Sequence, residues 1–210
     1  MPQEINSTNE SPMTGAGPVK AEAAGESAGW DEMFDQIAAG LYNLASMLVG
    51  EGEQSINLVE TAIATAEVSV CQDPVLAREK SRLAMCRAAI AQLAERNPDS
   101  LTPPEGVAGV ATCIEDDDLS SAGVSREELE RMMSGPDRVR VKNWLEGLPI
   151  AVRTVFVLRA VAGMSGAETA GVLAELGGPQ AGGWTPDGVR EYFRQGLCSL
   201  ASQLIHAAAR

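Results

Sequence analysis

The residues best placed to do chemistry lie near the C-terminus, where Arg190, Glu191, Arg194 and Gln195 follow a Thr185-Pro186 start signal. At helical spacing these four share one arc, opposite the apolar Val189, Phe193 and Leu197. The chemistry of such an arc is recognition: a guanidinium's planar fork pairs with phosphate or with guanine. An ordinary solvated helix face has the same composition, so the arc alone leaves both readings open. A second basic group, Arg78, Lys80, Arg82 and Arg87, suits phosphate contacts.

Catalysis has no comparable set. The single histidine, His206, stands near the chain end, and a lone histidine is usually a surface or packing residue. There is no P-loop, no metal-ligand spacing and no nucleophile elbow. No catalytic residue, metal or cofactor is expected. Glu53, Glu60 and Glu67 recur at seven-residue steps, the usual solvated stripe. Cys71, Cys86, Cys113 and Cys198 are far apart and form no CxxC. The expectation is four reduced thiols, with an occasional pair as the alternative.

The elements that must position these groups are helices. Aromatics make up 4% of the 210 residues against 45% hydrophobic residues overall, and alanine and leucine at helical spacing dominate. An all-α fold follows. No segment reaches the ~20 apolar residues of a membrane span, and Met1 to Gly29 has neither the basic nor the apolar region of a signal peptide. A soluble, cytoplasmic protein without a membrane partner is expected. The net charge is −13, yet from Arg138 onward basic residues outnumber acids. The excess acid therefore lies upstream, which suggests different partners for the two halves.

Along the chain, residues 1–29 have no apolar period and are expected to be a disordered tail. Residues 30–98 form a three-helix domain. Its first helix carries Phe34, Ile37, Leu41, Leu44, Ala45 and Leu48, and its second Ile56, Val59, Ile63, Ala66 and Val70. Its third, opened by Asp73-Pro74, carries Leu83, Cys86, Ile90 and Leu93. Residues 99–124, with Pro103-Pro104 and the run Glu115 to Asp118, are expected to be a flexible acidic linker. Residues 125–210 form the second domain. Ser125 with Glu128 and Ser165 with Glu168 are capping-box pairs. Helix, a tight turn at Gly163-Met164-Ser165, helix, a glycine-rich loop and a long last helix make a helix-turn-helix unit.

The run Leu148 to Ser165 (LPIAVRTVFVLRAVAGMS) resembles region 4 of the sigma-70 family of RNA polymerase sigma factors, closest to the extracytoplasmic-function type. Glu168, Ala170, Val189 and Leu200 continue the match. Leu41-Tyr42-Asn43-Leu44-Ala45, Gly50 and Leu58-Val59 resemble region 2 more weakly. The resemblance implies a factor that docks on core RNA polymerase and reads promoter DNA. Polymerase contacts would come from Asn57, Leu58, Glu60 and Thr61. DNA contacts would come from Arg190, Arg194, Glu191, Gln195 and Ser165, with Arg78, Lys80, Arg82 and Arg87 in the first domain. An anti-sigma-type protein would be a further partner. Four departures bear on this. Ser55-Ile56-Asn57 stands where the family has A-E-D, the segment Arg82 to Arg96 has no aromatic, and the last helix lacks three of the family's basic positions. The turn before it is enlarged by Gly177 to Gly183. The alternative reading is a sigma-like protein that binds polymerase or an anti-sigma-type partner without promoter recognition.

Overall fold

The computed structural model describes residues 22–68, 73–104 and 113–208. Among these there are eight α-helices and no strand, the expected all-α class. In chain order they are α1 (Glu22–Val49), α2 (Glu53–Thr65), α3 (Pro74–Arg96), α4 (Arg126–Ser134), α5 (Arg138–Glu146), α6 (Ile150–Phe156), α7 (Gly166–Leu176) and α8 (Pro186–Ala208). The expected tail is therefore shortened: residues 22–29 already belong to α1, and 1–21 lie outside the described residues.

Local signals place most helix ends. Asp73 accepts a hydrogen bond from the Val75 amide ahead of Pro74. Ser165 and Glu168 form a complete capping box, each side chain bonded to the other's backbone. The Thr185 hydroxyl accepts from the Gly188 amide (3.1 Å) at the start of α8. Gly163 takes the left-handed conformation (φ 71°) that ends α6, as glycine does with no Cβ penalty. Before that end, Val157–Val161 winds as a π turn closed by the Ala162 amide on the Val157 carbonyl. The wider turn sinks Val157, Leu158 and Ala160 together.

α1, α2 and α3 pack on one another, and α1 buries the expected Ile37, Leu41, Leu44, Ala45 and Leu48. α2 is rotated from expectation. Its buried residues are Ser55, Leu58 and Ala62, while Ile56 and Ile63 are 49% and 45% exposed. Small side chains let α2 approach its neighbours closely, and the Ser55 hydroxyl is satisfied by the Gly50 carbonyl. On α3, Leu83 is likewise exposed, and Met85 and Ala89 join Cys86, Ile90 and Leu93 inside.

The two halves do not stand apart. One continuous hydrophobic cluster runs from Leu44 and Ile90 through Leu101 and Leu119 to Phe156 and Leu197. α3 packs on α7, where the Arg87 guanidinium grips Glu175 through two hydrogen bonds (2.9 and 2.5 Å). Trp184, from the enlarged turn, is 5% exposed and donates its indole N–H to the carbonyl of fully buried Leu101 (2.7 Å). Within the segment expected to be a flexible linker, Leu101, Ile114, Leu119 and Ala122 are buried, while residues such as Glu115, Asp116 and Ser120 are exposed. Burying these apolar side chains outweighs the chain entropy that a free spacer would keep.

Candidate nucleic-acid interface

α6, the π turn after it, α7 and α8 carry the residues expected to form the helix-turn-helix. The turn is held by Arg159, whose Nη1 donates to the Met164 carbonyl (2.9 Å) while its guanidinium lies over the Phe193 ring, 5.2 Å from the centroid. Phe156 sits behind it, between Trp144 (5.1 Å, edge to face) and Phe193 (5.7 Å). Arg153, on α6, is half-buried, and burial lowers its pKa from the ordinary arginine value. The Ser165 hydroxyl and amide hold the Glu168 carboxyl below its ordinary value. Ser165 is therefore engaged as the cap of α7 and has no spare amide role there.

α8 lies deeper than a helix with a free reading face. Gly188, Val189, Glu191, Phe193, Gly196, Leu197 and Leu200 are all buried, and Tyr192, Arg194, Gln195, Cys198 and Ser199 are half-buried. Glu191 is a correction to the expected arc: it turns inward at 9% exposure, held by Gln195 and Arg194. The four candidates do not form one open surface. Of the four only Arg190 is exposed, and it pairs with Asp187 (3.2 Å) and Asp117 (3.8 Å).

What covers the outer side of α8 is the acidic segment before it in the chain. Arg190, Arg194 and Cys198 are four residues apart and form one stripe. Residues 117, 114 and 113 run along it in the reverse direction. Asp117 reaches both Arg190 (3.8 Å) and Arg159 (3.4 Å). The Arg194 Nε donates to the Ile114 carbonyl (2.7 Å). Cys113 is joined to Cys198 by a disulfide, with Cα atoms 5.7 Å apart. The expectation of four reduced thiols is corrected for this pair, while Cys86 remains a free, buried thiol and Cys71 lies outside the described residues. Ion pairs as exposed as these contribute only about 0–1 kcal/mol each, so the covalent bond is the strongest link holding the segment down.

The first-half candidates divide. Arg87 is committed to Glu175, which also raises the Arg87 pKa. Arg78 and Arg82 line a groove between α1 and α3 with Ile37, Leu41 and Val161, and Arg78 donates to Gln36 (3.4 Å). Lys80 is exposed beside them. On α2, Asn57, Glu60 and Thr61 are exposed, but Leu58 is a core residue at 5% exposure and is corrected as a partner contact. Its place on that outer face is taken by Ile56 and Ile63. No family model, curated protein or solved structure matches the chain. Sequence reasoning overlooked Arg159, Asp117 and Cys113. Arg159 stood inside the region 4-like run, and the acidic run next to Cys113 was visible, but nothing local signalled that they meet across α8. No described helix is long and apolar enough to cross a membrane.

Proposed function

We propose that the chain is a sigma-like transcription factor that binds core RNA polymerase and contacts promoter DNA through its C-terminal helix-turn-helix. The observation that carries this reading is the stripe on α8. Arg190 on α8 and Arg159 from the π turn hold one carboxylate, Asp117, between them, and Arg194 stands one turn further along α8. A site that holds one oxyanion between guanidiniums suits another, and the phosphates of a nucleic acid are the obvious competitor. The region 4-like run supplies the family context, and the exposed Asn57, Glu60 and Thr61 of α2 supply a surface for polymerase.

A second reading keeps the polymerase contact and drops promoter recognition. It is favoured by the inward turn of Glu191 and by the apolar Ile56 and Ile63 on the outer face of α2. One experiment separates the two: capture of core RNA polymerase by the purified chain, followed by transcription from a promoter library. Specific transcripts lost in an Arg190→Ala, Arg194→Ala double variant support the first reading. Capture without transcripts supports the second, and absence of capture overturns both.

A further inference from the structure

We infer that residues 113–118 are a disulfide-latched strap that controls access to the outer stripe of α8. The inference rests on the proposed role of α8 for its function, though not for its mechanics. Three features point to a latch. The strap contacts the stripe in register at three successive helical turns, through Asp117 at Arg190, Ile114 at Arg194 and Cys113 at Cys198. Its two ends are held differently: Leu119 and Ala122 are buried in the core, whereas Cys113 is exposed and held by the disulfide. Between them, Glu115 and Asp116 are solvent-exposed and Ile114 is buried against the core, while the polar contacts include the ion pairs of Asp117 and the hydrogen bond from Arg194 to the Ile114 carbonyl. The polar contacts persist after reduction but compete poorly with a polyanion, so opening the disulfide leaves the burial of Ile114 to hold the strap and makes the stripe accessible.

The chemistry is ordinary thiol–disulfide exchange with a dithiol, either a small molecule or a dithiol protein. A thiolate of the dithiol attacks one sulfur of the pair, the S–S bond breaks, and the departing cysteine sulfur takes a proton. The second thiol of the reagent then displaces the other cysteine and closes its own disulfide. Two electrons pass from the dithiol to Cys113 and Cys198, which end as thiols. Exposed Cys113 and half-buried Cys198 are open to this attack. Cys86 does not compete, because it is fully buried on α3.

The test uses the full chain prepared oxidised and again after treatment with dithiothreitol. Peptide mapping without reductant is expected to recover a Cys113–Cys198 linked pair. Amide exchange over residues 113–118 is expected to rise on reduction while that of α6 stays constant. Cys113→Ser, at an exposed position, is expected to show the raised exchange without reductant and no further response to it. Affinity for a short DNA duplex should rise about tenfold, the factor by which a strap closed about nine-tenths of the time lowers an apparent affinity. Asp117→Asn should raise it in the oxidised chain as well. Absence of the linked pair, or exchange that ignores reduction, overturns the latch. Raised exchange with no gain in duplex binding upholds the latch and removes the nucleic-acid reading of the stripe.

Discussion

Two glycine-to-alanine substitutions in neighbouring helices should move stability in opposite directions. Inside a helix alanine is favoured over glycine by about 0.5–1 kcal/mol. At Gly171, exposed on α7, a new methyl meets nothing within 4 Å, so Gly171→Ala keeps that gain. At Gly196 on α8 the same methyl would stand 2.8 Å from Cδ2 of Phe156 and 3.3 Å from its Cβ. The ring has no room to retreat, since Trp144 and Phe193 flank it at 5.1 and 5.7 Å. Forced overpacking of this kind costs about 1–3 kcal/mol. Set against the helix gain, Gly196→Ala is expected to be destabilised by about 0–2.5 kcal/mol, and Gly171→Ala stabilised by up to about 1. For a chain of this size each kcal/mol moves the melting temperature by about 2–4 °C. Thermal unfolding followed by circular dichroism reads both, and Phe156→Leu combined with Gly196→Ala should cost less than the sum of the two single changes. A Gly196→Ala protein that melts above the parent would refute the close contact of α8 with Phe156.

Two further outcomes follow from the contacts between the halves. Trp184→Phe keeps a ring beside Tyr192 but leaves the buried Leu101 carbonyl without its donor; urea titration should show a loss of about 1–3 kcal/mol, and an unchanged midpoint would remove this tie. Glu175 has its folded pKa lowered by Arg87, so its contribution is present above the ordinary carboxylate range and lost as pH falls through the lowered value. Melting temperature should therefore drop on acidification, and Glu175→Gln should flatten that drop; a parent chain that gains stability in acid contradicts the sign.

How far the sequence foretold this arrangement depends on the range of the interaction. The caps at Asp73, Ser165 and Thr185 and the left-handed end at Gly163 were legible because each is settled within about four residues. The apolar face of α1 was legible because large side chains mark it. The face of α2 was misjudged because its inner stripe uses Ser55 and Ala62, whose small size suits close helix contact but carries little hydrophobic signal. Glu191 was placed outside because a charged residue on a basic arc resembles a surface residue, and only the Arg194 and Gln195 contacts make its burial tolerable. The meeting of Cys113 with Cys198 joins positions 85 residues apart. Spacing holds no trace of such a pair, nor of the core that unites the halves.

That shared core has an energetic consequence for any partner. Leu101 and Trp184 belong to the same cluster as Ile90 and Leu197, so drawing the halves apart exposes apolar surface and orphans the Leu101 carbonyl. A partner that requires the separated arrangement must prefer it over the closed one, however tightly it binds. To turn a population from one per cent separated to one per cent closed, that preference must reach about 10⁴-fold. A partner that grips only the outer face of α2 or the uncovered stripe of α8 faces no such requirement, and it can engage the molecule with its core unbroken.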